Sequence, residues 1–319
     1  MNEPTNLATT IDSAGSTSGM YDKLMKELLA DKQVLARILK NTMNEFKDME
    51  IPNIIQCLGS VHIQEQRVEP GLSNLGKVER TATENSAQGE GTIYYDIRFS
   101  AYVKNRTVKI LINVEAQKSI KASQLKYHIV NRIVFYLARM ISAEKEVEFF
   151  NSDYDNIKKV ASIWICMSDN EKDGSIEKLS LSSDEVYGES TGLLSTDLME
   201  GYLICLRKSD NVKASKNELI SMLEDLINGK DAEEKKRNLE TKHNMIMSEE
   251  FEGRLSQMCN LSGLVLEEGM EKERENGLKA LIATIKELSP GICVEDVYKL
   301  VIKNETYKDV TPERIKKYL

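Results

Sequence analysis

Residues 91–117 read GTIYYDIRFSAYVKNRTVKILINVEAQ, and the alternation in this stretch decides the fold class. Side chains along a strand point to opposite faces with a period of two. Over 91–103, Tyr95, Ile97, Phe99, Ala101 and Val103 share one face, with Tyr94, Asp96, Arg98 and Ser100 on the other. Over 107–117, Val108, Ile110, Ile112 and Val114 form an apolar set opposite Lys109, Leu111, Asn113, Glu115 and Gln117. The short Lys104-Asn105-Arg106 turn between the two strands predicts a hairpin. Asp96 and Glu115 then fall near each other on neighbouring strands, with Gln117 on the face of Glu115. Adjacent carboxylates repel and raise each other's pKa unless a cation neutralises them. The pattern therefore points either to a divalent-cation site or to two solvated strand residues.

Working outward, apolar residues at three- and four-residue steps (Leu24, Leu28, Leu35, Ile38, Leu39, Phe46) predict one helix from Tyr21 to about Lys47. SVHIQEQRV (60–68) reads as a loosely alternating strand, and 69–90 as a polar, turn-rich loop. Leu125, Ile129, Ile133, Tyr136 and Met140 predict a helix over 124–146. VASIWICM (160–167) and GYLICLR (201–207) have the apolar, β-rich character of buried strands. This alternation of helices and strands implies an α/β fold around a mixed sheet. Beyond Asn211 the chain turns charged and helical, with segments expected at 214–228, 231–247, 249–260 and 264–288. Two short helices, 294–303 and 312–318, follow the Ser289-Pro290-Gly291 break. The expected organisation is a polar, disordered tail (1–18), an α/β domain (19–210) and a helical region (211–319).

The chain has 319 residues, 41% of them hydrophobic, enough for a sizeable core. No apolar run is long enough to predict a membrane span, and the first twenty residues have neither the basic start nor the apolar stretch of a secretory signal. Five scattered cysteines without CxxC spacing argue against a disulfide framework or a structural zinc, and fit a cytoplasmic protein. His62, His128 and His243 are too dispersed to suggest a histidine metal site. A net charge of -8 argues against a protein that coats nucleic acid. From Ala116 to Lys145, however, Lys118, Lys121, Lys126, Arg132, Arg139 and Lys145 face only Glu144. A basic strip beside a paired-carboxylate site suits a polyanion's phosphates; the bland reading is a solvated helix face.

The stretch YYDIRFSAYV…INVEAQ, the helix bearing Arg132 and Tyr136, and SIWICM resemble the PD-(D/E)XK nuclease superfamily. More narrowly, they are similar to its bacterial recombination-promoting, transposase-related nucleases. The resemblance runs from about Tyr21 to Arg207 and includes YDKLMKELLADKQVLARILK; it covers the helical third only loosely. It implies a restriction-endonuclease-like core that cuts DNA with Mg²⁺, or Mn²⁺ as a substitute. Asp96 and Glu115 match the two metal-binding acids, with the Ala116 carbonyl as a further ligand, and Gln117 stands where many members carry lysine. Arg132 and Tyr136 match the polar motif of the following helix. Lys118, Lys121, Lys126 and Arg139 are candidate DNA contacts beside them. Glu27 and Glu45 are candidate extra ligands, or plain surface glutamates. Gln117 could orient a water but brings neither a base nor a positive charge. That leaves two rival readings to a metal-dependent endonuclease of recombination or mobile-element transfer. One is a catalytically silent DNA-binding module of the same fold; the other is a partner protein that oligomerises through its C-terminal helices.

Overall fold

The computed structural model describes residues 17–63, 84–87, 91–94, 96–103, 108–117, 119–168, 174–182, 186–188, 197–207, 215–228 and 231–319. In place of one helix over 21–47 there are two, α1 (Thr17–Leu29) and α2 (Lys32–Thr42). The break is local chemistry: the Asp31 side chain accepts the Gln33 N–H at 2.8 Å and caps a fresh helix start. Leu28, Leu29, Leu35, Ile38 and Leu39 are nevertheless fully buried, so the apolar stripe is continuous across the break. A helix the periodicity did not predict, α3 (Ile51–Cys57), begins with Pro52 in its first turn, where its missing N–H costs nothing. It leads into β1 (Leu58–Ile63), the only described part of the strand expected over 60–68.

β2 (Glu84–Ala87) and β3 (Gly91–Tyr94) pair antiparallel in a small sheet of their own, inside the stretch expected to be loop and the head of the next strand. β4 (Ile97–Val103) and β5 (Val108–Gln117) form the predicted hairpin, in register from Ile97 opposite Val114 to Val103 opposite Val108. The expected strand 91–103 is therefore interrupted. Its first part belongs to the second sheet, and Asp96 sits in a bend immediately before β4 rather than within a strand.

The helix expected over 124–146 is also divided. α4 (Ala122–Leu125) ends at Lys126, whose φ of 66° is incompatible with continuing a helix, and α5 (Ile129–Ser142) starts afresh. β6 (Lys159–Ser168), β7 (Ser175–Ser180) and β8 (Met199–Arg207) complete a six-stranded sheet in the order β1-β4-β5-β6-β8-β7. β5, β6 and β8 are mutually parallel; β1, β4 and β7 run antiparallel to their neighbours. The fold is α/β with a mixed sheet flanked by helices.

Ile97, Phe99, Ile110, Ile112, Val114, Ile163 and Ile204 pack toward α1 and α2 on one face. On the other, Leu111, Val160, Trp164 and Cys166 pack against Ile129, Ile133, Tyr136, Leu137 and Met140 of α5. Gly201 on β8 lets α5 sit close to the sheet, because a Cβ there would lie 2.6 Å from the Ile133 Cγ2.

The C-terminal part contributes α6 (Glu218–Ile227), α7 (Ala232–Thr241), α8 (Glu249–Leu288), α9 (Val294–Val301) and α10 (Pro312–Lys316). Two expected helices, 249–260 and 264–288, are one 40-residue helix, about 60 Å long at 1.5 Å per residue. Phe251, Leu255 and Met258 of α8, with Leu219, Ile220, Leu223 and Leu226 of α6, join the core beneath the sheet. Further along, Leu278 and Ile282 build a separate cluster with Val297, Val301, Tyr307, Val310 and Ile315.

Candidate functional site

The antiparallel ladder between β4 and β5 ends at the Ile97–Val114 pair, and side chains take over the next step. The Asp96 N–H donates to Glu115 Oε1 at 3.0 Å, and the Ala116 N–H donates to Asp96 Oδ2 at 3.1 Å. Each carboxylate is thus held by backbone beside the other. The Asn113 amide, two residues before Glu115 and so on its face, adds a 3.2 Å bond to Oε1. Both bonds to Glu115 end on Oε1, leaving Oε2 outside them. Glu115 is 1% exposed. From α1, the Lys26 ammonium reaches Asp96 Oδ1 at 2.9 Å while also holding Asp22 Oδ2 at 2.9 Å.

The opposite wall comes from α5 and β6. Arg132 donates to the Tyr127 hydroxyl at 2.7 Å and the Tyr136 hydroxyl at 2.8 Å. Its guanidinium carbon lies 5.1 Å from the ring centres of both Tyr136 and Trp164. Trp164 stands in register with Glu115 across β5 and β6, and its indole N–H donates to Ser162 Oγ at 2.7 Å. Tyr136 meets the indole edge-on, with ring centres 5.1 Å apart. This packing fixes the arginine's plane.

Burial is the largest influence on Glu115 and drives its pKa well above the usual carboxylate value, with the Asp96 charge pushing the same way. The Asp96 N–H, the Arg132 charge and the Asn113 amide oppose this without cancelling it. Tyr136 is pushed up to about 12 by burial and by the Glu115 charge. Burial works against the charge on Lys26, but Asp96 and Asp22 outweigh it and hold the ammonium protonated. The site thus has two carboxylates, one of them disfavoured as an anion, between a lysine and an arginine from opposite faces of the sheet.

That arrangement fits a hard divalent cation. The donor set is carboxylate oxygen, the two acids are held together rather than apart, and a cation would favour the ionised form of Glu115 that burial and Asp96 disfavour. Among the described residues no group of three or more His, Cys, Asp or Glu side chains converges as a ready metal cluster. Glu27 contacts Arg254 at 3.3 Å and Glu45 contacts Lys159 at 2.5 Å; both are held in ion pairs elsewhere.

Gln117 is the last residue of β5 and half-buried. Lys121 and Lys126 are exposed around α4, Arg139 is 4% exposed in the last turn of α5, and Lys118 lies outside the described residues. Lys26, Asn113, Tyr127 and Trp164 were not singled out for the site by the sequence. Only Asn113 carried a signal, its shared face with Glu115. No family model, curated protein or solved structure matched the chain.

Proposed function

We propose that the chain is a metal-dependent DNA endonuclease with a PD-(D/E)XK-type centre, acting in recombination or mobile-element transfer. One observation carries this reading: Asp96 and Glu115 are locked side by side by reciprocal backbone hydrogen bonds where the β4–β5 ladder ends. Asp96 and Glu115, with the Ala116 carbonyl, would hold the Mg²⁺ or Mn²⁺. When bound, that ion lowers the pKa of a coordinated water and neutralises charge building on the scissile phosphate. Asn113 fixes the orientation of Glu115 through Oε1. Arg132, planar and braced by two tyrosines and an indole, is suited to a phosphate oxygen. Gln117 orients the attacking water. Lys121 and Lys126 offer exposed positive charge to the flanking DNA backbone, screened by salt in the usual way. The C-terminal helices provide a surface for self-association in the cytoplasm.

The Lys26–Asp96 ion pair favours a second reading, a silent module that binds DNA without cutting it, since a cation already sits on one of the acids. Incubating plasmid DNA with Mg²⁺ or Mn²⁺, with and without EDTA, separates the two. Cleavage that is abolished by EDTA and by Asp96→Ala or Glu115→Ala supports the nuclease. Retention without cleavage supports the silent module, and equal cutting by all three proteins rejects the assigned centre.

A further inference from the structure

We infer that Lys26 is the resident counter-ion of the site and sets its affinity for a divalent cation by moving from Asp96 to Asp22. The inference rests on the proposed role of Asp96 and Glu115 as ligands, and goes beyond it by assigning a residue that controls their occupancy.

The geometry is specific. The Lys26 ammonium lies 2.9 Å from Asp96 Oδ1 and 2.9 Å from Asp22 Oδ2, so it is shared between a half-buried acid and a solvent-facing one. Lys26 and Asp22 are one helical turn apart on α1, and Asp22 is 46% exposed at its side chain. Asp96 Oδ2 accepts the Ala116 N–H, and Oδ1 is the oxygen that the ammonium holds. An ammonium and a divalent cation cannot both sit on one carboxylate oxygen without strong repulsion. Cation binding therefore requires the ammonium to yield Oδ1. It does so without losing its charge or becoming unpaired, because Asp22 already holds it. Without a divalent cation, Lys26 neutralises Asp96 beside the buried Glu115; with one, it rests on Asp22.

Two substitutions in the full-length protein pull in opposite directions. Lys26→Met keeps the aliphatic stem along α1 and removes the competitor, so Mn²⁺ affinity measured by calorimetry at neutral pH rises roughly tenfold. Asp22→Asn removes the alternative berth, commits the ammonium to Asp96 and weakens Mn²⁺ binding. The exposed Asp22 charge acts little through bulk solvent at physiological salt, so that loss disappears in the Lys26→Met/Asp22→Asn double variant. In EDTA, Lys26→Met melts below wild type, and saturating Mn²⁺ closes the gap. Unchanged or weaker Mn²⁺ binding by Lys26→Met, with wild type binding normally, overturns the inference and leaves the metal site standing. If no protein binds Mn²⁺, the metal site itself fails and the inference with it. Should Lys26→Met not fold, Asp22→Asn decides alone: weaker binding upholds the counter-ion role, and equal or tighter binding overturns it.

Discussion

Arg132 lies 5.1 Å from the Trp164 ring centre, and Trp164 is the register partner of Glu115, so a tryptophan braces the cation that faces the buried acid. The guanidinium spends two N–H groups on tyrosine hydroxyls, a geometry that a lysine ammonium cannot reproduce. Arg132→Lys is therefore not conservative. Losing one of these charge-assisted bonds should destabilise the fold by about 1–2 kcal/mol in urea denaturation. In the proposed reading the arginine's plane presents it to phosphate, so the proposed nuclease activity should fall further than stability explains. Trp164→Phe removes a fully buried indole's bond to Ser162 and leaves a void beside Arg132, so it should cost at least as much stability.

Glu115 supplies a pH prediction with a definite sign. Its folded-state pKa is raised, mainly by burial and then by Asp96, so the metal-free folded protein holds a proton that the unfolded chain has released. Stability in EDTA should then fall as pH rises above the ordinary glutamate range, and remain lowest above the folded pKa. Glu115→Gln should flatten that dependence and melt above wild type at alkaline pH. Adding Mn²⁺ should raise the melting temperature of wild type and leave the glutamine variant unchanged. Cation binding must also displace the proton, so affinity for Mn²⁺ should increase with pH.

Much of this centre could be seen in the sequence, and what could not has a physical reason. β5 was legible because Ile110, Ile112 and Val114 alternate with Asn113, Glu115 and Gln117 over a full strand. The bend at Asp96 was not, because alternation runs unbroken from Tyr94 to Val103, while β3 is drawn off to pair with a polar strand, Glu84–Ala87. Asp31 did carry a helix-start signal, overridden by an apolar stripe that spans both helices. β7 escaped notice because SIEKLS lacks period-two alternation; it lies at the sheet edge, paired only with β8. Locally Lys26 shows only its one-turn pairing with Asp22, because Asp96 meets it only after the sheet and α1 have packed together.

The close approach of α5 to the sheet makes Gly201 a sensitive position. A methyl group there would sit 2.6 Å from Ile133 Cγ2 and 3.5 Å from Leu137 Cδ1, so α5 must shift or its side chains must leave their rotamers. Gly201→Ala should cost about 1–3 kcal/mol of stability. Because α5 also carries Arg132 and Tyr136, the proposed DNA cleavage should fall as well. Ile133→Ala removes Cγ2, the atom the methyl group would meet, so Gly201→Ala should cost less in that background, a non-additive double-mutant cycle in chemical denaturation. Additive effects would mean that α5 accommodates the methyl group without contact between the two positions.

Glu144, just past the end of α5, gives a second pH dependence, remote from the proposed centre. Its Oε2 accepts the Lys158 N–H at 2.6 Å, while Oε1 is buried with no hydrogen-bond partner among the described residues. Burial is the main cause that lifts its pKa from 4.5 to about 7, helped by Glu148 and opposed by the Lys158 N–H and the nearby lysines. Between those two values the folded protein keeps a proton that the unfolded chain loses, so stability declines as pH rises through that window. At about 1.36 kcal/mol per unit, the loss has an upper limit of ~3 kcal/mol by pH 8. Glu144→Gln keeps an oxygen for the Lys158 N–H and removes the charge. Its denaturation midpoint should match wild type near pH 4, where both side chains are neutral, and exceed it at pH 8. Equal midpoints at both pH values would show that the folded structure leaves Glu144 ionised at no cost.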